Sequence, residues 1–547
     1  MSTMTIGVAA LQNANLALTT TSHNIANVNT AGYRRQEAVF VNNLPWLTGS
    51  GFIGQGARIE TVRQSYDAFL ERQLFEVAGK SAYMDKSAQA LAQIDAILGD
   101  RSAGLAAALQ NFFAAWESLA DDPASPAARQ GVLSAAQGLA NTMNAQGGYL
   151  ASLQDGVNVE IGNLVERINT LARQVAELNQ RIGDMQGATG QPANDLIDQR
   201  DAALAELNRL AGVSVVKNSA SDYSVFLGAQ ALVLNDTAVA LEAKAGPFDP
   251  SRIEVWAGNT PLTEPGRIGG ELGALIDYRR QQLDPAQAAL GRIALALAQQ
   301  VNTLHQSGKD LAGNPGGLFF ADPTNYPQSF AHTSNTGTGV LTAALGSAPN
   351  DSSKLTTSDY ELSYDGSQYT LRRLSDGQSW SDANLTTLAA TAAQGFTLSM
   401  SGAPAAGDRF LIRPTAAASQ NFAVSLSDPA KIAAADGSAS PGDILDNRNA
   451  LALAALRIDR TVIAGGNTFE SAYAAWVSSV GQATASAQAQ QKVYANLLQQ
   501  AKAAQQGVSG VDLDEEAANL LRYQHYYQAA AQLIKTSNTL FETILNL

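Results

Sequence analysis

Residues able to do chemistry are few and scattered. The four histidines, His23, His305, His332 and His525, stand at no metal-ligand spacing from one another, and there is no cysteine. Zinc needs clustered thiolate or imidazole donors, so no metal site is expected. Gly49, Gly51 and Gly54 in "GSGFIGQG" have the spacing of a dinucleotide-binding turn. Such a turn follows a strand and opens a helix; neither is convincing here, and a loop entering the strand "ARIETVR" is the better reading. Asp514, Glu515 and Glu516 are adjacent acids of the kind a glycosidase pairs. Asp512 followed three residues later by Glu515 reads instead as a capping-box-like helix start, with acids favouring the positive end of the dipole. His305, closing the helical pattern of "VNTLHQSGKD", reads as a C-terminal capping group. No Gly-x-Ser-x-Gly elbow occurs. The expectation is a non-enzyme with no catalytic, cofactor-binding or metal-binding residues and no cofactor.

What the chain has in quantity is helical surface. Met4, Gly7, Leu11, Ala14, Leu18, Thr21, Ile25 and Val28 alternate spacings of three and four, as do Leu513, Glu516, Leu520, Tyr523, Tyr527, Ala530, Ile534, Ser537, Phe541 and Ile544. Both ends read as amphipathic helices seeking a helical partner. Small and polar seam positions make each marginal alone. Tyr523, Tyr526, Tyr527 and Phe541 add an aromatic stripe suited to core packing or to a subunit interface.

Longer helical patterns run from Leu150 to Ile182 and from Tyr473 to Leu497, and long helices of matched period are expected to pack side by side. Shorter ones fit 85 to 98, 103 to 119, 195 to 210 and 276 to 306. Between them, 213 to 258 and 360 to 414 read as β, the second around an Asp-Gly hairpin signal. Polar stretches at 321 to 358 and 433 to 443 read as connectors.

The chain is 547 residues long, enough for about three or four domains. Its net charge of -14, with only 15% charged residues, disfavours nucleic acid and anionic lipid. No apolar run is long enough to span a bilayer, so no membrane insertion is expected. The first residues carry no basic n-region or cleavage site, so export would proceed without a cleaved signal peptide.

The helical start ends in "SHNIANVNTAGYRRQ", where three asparagines and a glycine supply turn chemistry. This stretch resembles the N-terminal signature N-I-A-N-x-N-T-x-G-Y of the bacterial flagellar rod, hook and hook-associated axial protein family. The closing "GVSGVDLDEEAANLLRYQHYYQAAAQLIKTSNTLFETIL" resembles the same family's C-terminal helix. "GYRRQEAVF", "GQGARIETVRQSYDAFLERQL", "NDLIDQRDAALAEL", "GGELGALIDYRRQQLD" and "VNTLHQSGKDLAGNPGGLFF" narrow the likeness to the hook-associated members that join hook to filament. The β insert near 321 to 429 lies outside it.

The resemblance implies an α+β multidomain, elongated chain whose terminal helices form a coiled coil, with a long-helix bundle and β-rich domains inserted centrally. The expected division is 1–35 with 510–547 for the terminal coiled coil; 36–210, 271–320 and 430–509 for the bundle; 211–270 for one β domain; and 321–429 for the outer insert. It implies a structural component of the bacterial flagellum, assembled as a ring of subunits at the hook-filament junction, extracellular and delivered by type III export. Implied partners are copies of itself, the flagellar hook protein, a second junction protein (hook-associated protein 3), an export chaperone and the export apparatus. Assembly contacts are expected from Leu11, Leu18, Ile25, Asn27, Asn29, Gly32, Tyr33, Arg34, Arg35, Leu520, Tyr523, Tyr527, Ile534 and Phe541, with Arg34, Arg35 and Gln36 facing a neighbouring subunit. The alternatives are a hook or distal-rod subunit and, from another class, an exported peptidoglycan hydrolase.

Overall fold

The computed structural model describes residues 3–30, 32–49, 51–98, 104–219, 221–262, 267–440 and 443–545. The chain opens with helix α1 (Thr3–Ala26), whose buried residues Gly7, Ala14 and Thr21 face one way and whose Asn13, Thr20 and Asn24 are buried beside them. After the asparagine turn come strands β1 (Gln36–Asn42), β2 (Trp46–Thr48), β3 (Gly51–Ile53) and β4 (Ala57–Gln64). β1 and β4 pair antiparallel and lie against α1, while β2 and β3 form a separate hairpin at their tip. The segment 36–64, expected within the helix bundle, is therefore β structure carried by the first helix. The glycines of "GSGFIGQG" belong to that tip, with β4 following as expected.

Helices α2 (Ala68–Leu98), α3 (Leu105–Asp121), α4 (Pro126–Thr189) and α5 (Asn194–Ala211) follow. α4 has 64 residues, hence about 96 Å at 1.5 Å per residue. Ser125 caps its first turn by accepting from the Ala128 N–H, and Pro126 occupies a position where its missing N–H costs nothing. α2 and α4 both begin well before the positions expected from periodicity, because the added turns are mixed in polarity and are stabilised by neighbouring helices.

A four-stranded sheet, β5 (Ser214–Lys217), β6 (Tyr223–Leu227), β7 (Gln230–Leu234) and β8 (Thr237–Ala238), is followed by a three-stranded one, β9 (Leu241–Ala245), β10 (Ile253–Ala257) and β11 (Thr260–Pro261). Both rest on α4. The helix expected at 276 to 306 is α6 (Gly270–Tyr278), a π-helical turn at Arg279–Leu283 and α7 (Asp284–Ser307).

The outer insert begins earlier in β structure than expected, since β12 (Gln328–Ala331) and β13 (Val340–Leu345) lie within the polar stretch read as a connector. β14 (Tyr360–Tyr364), β15 (Tyr369–Arg373), β16 (Ser379–Asp382), α8 (Leu385–Ala392), β17 (Phe396–Ser401) and β18 (Arg409–Arg413) complete it. The main sheet has the order β12-β18-β14-β15-β16, and β13 pairs with β17. The Asp-Gly signal is the β14–β15 turn: Asp365 Oδ1 accepts from the Ser367 and Gln368 N–H groups.

The last helices are α9 (Arg448–Ala455), α10 (Phe469–Ser509) and α11 (Leu513–Leu545). Thr468 and Ser471 form a reciprocal capping box at the start of α10. α10 lies along α2, not along α4 as the two long periodic patterns suggest, and α11 lies along α1. Matched period identifies helices that need a partner without identifying which.

The core is joined by an aromatic cluster from distant segments: Phe112, Phe113, Trp116, Phe319, Phe320, Phe422 and Phe469 are all fully buried. Phe320 sits 4.5 Å from Phe422 and 4.9 Å from Phe319, centroid to centroid. His305 is buried against this cluster, its Nδ1 2.7 Å from the Gly317 carbonyl and its Nε2 accepting from the Ala433 N–H at 3.0 Å. It therefore staples two loops instead of capping its own helix, and burial pushes its pKa down. Arg413 on β18 is buried among Asp249, Asp284 and Asp359, at 3.6, 3.5 and 3.3 Å, tying the outer insert to α7 and to the inner β region.

Candidate assembly site at the paired chain ends

α1 and α11 run antiparallel. Thr3 Oγ1 accepts from Ser537 Oγ at 3.0 Å, and one turn along α1 Gly7 meets Ile534. A Cβ on Gly7 would stand 2.8 Å from Ile534 Cγ1, so the helices approach more closely than any larger residue allows. Ala14 and Ala530 are likewise buried, while Leu11, Leu18, Ile25, Leu520, Tyr523 and Ile534 are only half-buried. Tyr527 and Phe541 are exposed, and the side chain of Ile544 lies outside the described residues. Tyr523 stacks on Phe40 of β1 at 6.3 Å, so the hairpin and both helices form one unit.

The asparagines divide the work of ending α1. Asn24, not singled out by the sequence reading, is buried and holds both directions of the chain: its Nδ2 donates to the Gln36 carbonyl at 2.8 Å. Its Oδ1 accepts from the Gln36 N–H at 2.9 Å and from the Tyr33 hydroxyl at 2.8 Å. Asn27 donates back to the His23 carbonyl at 3.0 Å and accepts from Thr30 Oγ1 at 3.1 Å. Neither Asn27 nor Asn29 is left-handed; Gly32 is, at φ +83°. Asn13 performs a similar service one end along, donating to the Ala57 carbonyl and accepting from the Ile59 N–H.

The two arginines after Tyr33 turn inward. Arg34 is 6% exposed and pairs with Asp201 at 2.5 Å, Glu71 at 3.1 Å and Asp198 at 3.5 Å. It is thus an internal anchor to α5 and α2, which corrects the expectation that it faces a neighbouring subunit. Gln36 is corrected with it, being buried and donating to Asp195 at 2.9 Å. Burial pushes the Asp198 carboxyl up to about 7, against Arg34 and with the help of Asp201. Burial and the nearby Asp195, Asp198 and Glu516 likewise push up the Tyr33 hydroxyl.

Arg35 reaches the root of α11, where it meets Glu515 and Glu516, and its N–H donates to the Ser509 carbonyl at 3.0 Å. Asp512 accepts from the Asp514 and Glu515 N–H groups, so the cap is present, but the Glu515 side chain is committed to Arg35. Sequence reasoning missed these partners because opposite charges hundreds of residues apart carry no local signal.

Asn27, Asn29, Gly32, Tyr33 and Arg35 are brought together along a polar cleft of about 690 Å³ between the turn and the α10–α11 link. No group of three metal-ligating side chains occurs among the described residues. Nor is any described helix long and apolar enough to cross a membrane.

Family models match in the order this architecture requires. Residues 4–34 match a flagella basal body rod protein model, and residues 91–320 match the flagellar hook-associated protein FlgK helical domain. Residues 330–414 match a D2-like domain of flagellar hook-associated protein 1, and residues 505–547 match the C-terminal region of basal body rod proteins. Flagellar hook-associated protein 1 of Escherichia coli strain K12 is 34% identical, covering 99% of this chain and 98% of that one. The chain belongs to the flagellar hook-associated protein 1 family.

The Salmonella typhimurium member of the family is 35% identical over 99% of this chain and 98% of its own. The solved flagellar hook junction protein FlgK from Burkholderia pseudomallei superposes with a TM-score of 0.71 at 28% identity, over 80% of this chain and all of that one. Flagellar hook-associated protein 1 is a structural component of the hook-filament junction and not an enzyme, which places this chain in the flagellum.

Proposed function

We propose that this chain works as a ring of subunits at the hook-filament junction, its paired terminal helices making the contacts between copies. The observation that carries the reading is the α1–α11 pair. Two helices from opposite ends are locked by Gly7–Ile534 and Arg35–Glu515, yet leave half of each helix uncovered. Of the residues expected at this interface, Leu11, Leu18, Ile25, Leu520, Tyr523, Tyr527, Ile534 and Phe541 supply the helical faces. Asn27, Asn29, Gly32, Tyr33 and Arg35 shape the cleft at the helix root. A contact between unlike surfaces of successive copies closes a ring or propagates a helix.

The partners of this reading are further copies, the flagellar hook protein on one side and a second junction protein, hook-associated protein 3, on the other. Delivery to an extracellular position runs through the flagellar type III export apparatus with an export chaperone and without signal-peptide cleavage. Electron microscopy of cells lacking the protein tests this: hooks without filaments and flagellin in the medium are expected, with restoration by the full chain. Normal filaments in its absence, or long tubes formed by the purified protein alone as a hook subunit would form, overturn it.

A further inference from the structure

A strongly exposed apolar surface lies on the tip hairpin, away from the paired helices and the cleft. Leu44 is 89% exposed, Phe52 72% and Leu47 64%, with Trp46 and Ile53 also exposed. Trp46 pairs with Ile53 and Leu47 with Phe52. Adjacent strand residues point to opposite faces, so both faces of this two-stranded sheet are apolar and open. Such a hairpin is marginal by itself, and an apolar patch of this kind on a single chain marks a protein contact.

The chemistry of the surroundings selects the occupant. From Ala38 to Gly56 no residue is charged. α1 is the matching surface: between Thr3 and Ala26 it has no Asp, Glu, Lys or Arg. Met4, Val8, Gln12 and Leu16, spaced by four, form an exposed ridge on it. α11 offers apolar residues as well, but between Asp514, Glu515, Arg522, Lys535 and Glu542, whose burial would cost desolvation. The hairpin leaves the ridge of its own helix uncovered, because its root is held on another face of that helix, by buried Asn13 on Ala57 and Ile59.

Resting on the ring-forming reading above, we infer that the tip hairpin of one copy seats on the Met4–Val8–Gln12–Leu16 ridge of the next copy. Neutral apolar surface meets neutral apolar surface, and the two patches differ, so the contact is directional and repeats from copy to copy.

The cysteine-free chain allows a direct test. Cells co-express two single-cysteine chains, Phe52→Cys and Val8→Cys, and purified hook-filament junctions are treated with a short bis-maleimide. A covalent dimer joining position 52 of one copy to position 8 of the other is expected, with either variant alone giving little. Junctions that contain both variants yet give no such dimer, or a Phe52→Cys product joined to a different protein, overturn the inference while leaving the junction role intact. Absence of the protein from hook ends would instead overturn the junction role. As a second measurement, Trp46→Ser with Phe52→Ser is expected to leave the melting of the isolated chain unchanged, since both side chains are exposed, and to reduce attached filaments at least tenfold. Undiminished filament number overturns the inference.

Discussion

Arg35 and Glu515, 480 positions apart, form a two-pronged ion pair, Nη1 to Oε2 at 3.0 Å and Nη2 to Oε1 at 2.6 Å. Glu515 is half-exposed, so water screens the pair and its coupling is expected to be about 0.5–1 kcal/mol. A double-mutant cycle of Arg35→Ala and Glu515→Ala in urea unfolding measures it. Arg35→Lys is expected to behave like the alanine variant, since an ammonium cannot reproduce the fork. Additive single effects would show the pair to be idle.

Arg34 is the stronger anchor. Arg34→Ala leaves Glu71, Asp198 and Asp201 crowded without a cation, and a loss of about 3 kcal/mol is expected. Combining it with Asp198→Asn should recover part of that loss by removing one buried carboxylate. A double variant less stable than Arg34→Ala contradicts the assignment.

Asp198 also predicts a pH dependence. Its folded pKa of about 7 lies above the ordinary carboxylate value near 4, so the folded chain retains a proton that the unfolded chain releases between those values. Its stabilising contribution is complete below pH 4, declines as pH rises to 7 and is constant beyond. Unfolding free energies of the parent and Asp198→Asn should diverge in favour of asparagine across that window. A constant difference from pH 4 to 7 would refute the shift.

His305 works in the opposite direction. It is buried with its pKa lowered, donating from Nδ1 to Gly317 and accepting at Nε2 from Ala433, which requires a neutral ring. The unfolded chain takes up a proton below about pH 6.5, so this contribution is present above that pH and is lost as pH falls. Melting between pH 7 and 5 should show a shallower decline for His305→Ala than for the parent, although the variant is less stable at pH 7.

Gly7→Leu should separate the ends from the body of the molecule. Since even a Cβ at position 7 would come within 2.8 Å of Ile534 Cγ1, a larger side chain forces α1 away from α11. Rapid proteolytic trimming of both termini is expected while the aromatic core around Phe112 and Phe320 keeps its melting transition. Protection of the termini equal to the parent's would show that the close approach is not required.

Repeating patterns were the legible part of the sequence. The heptad-like spacing at each end located α1 and α11, and the β-branched runs located most strands, because burial on one face leaves a local periodic trace. The family likeness of the asparagine turn supplied the axial family, and five internal stretches such as "NDLIDQRDAALAEL" narrowed it to the junction. The destination of single side chains was not legible: Arg34 looked like an exposed basic residue, and only the fold brings Glu71, Asp198 and Asp201 around it. The same holds for α10, whose period demanded a helical neighbour but could not choose between α2 and α4. β12 and β13 escaped notice because their flanks are rich in Gly, Ser and Asn, and their pairing partners lie far along the chain.

The meeting of Gly7 with Ile534 sets an order of events. Closing a loop of more than five hundred residues is the slowest kind of contact a chain makes, and nothing local can substitute for it. The helical body, whose α2, α3, α4 and α5 are neighbours in sequence, can form while the last helix is still absent. The chain's two ends therefore close last, like a clasp fastened after the garment is on, and a chain stopped between α10 and α11 would have a finished body but no finished joint.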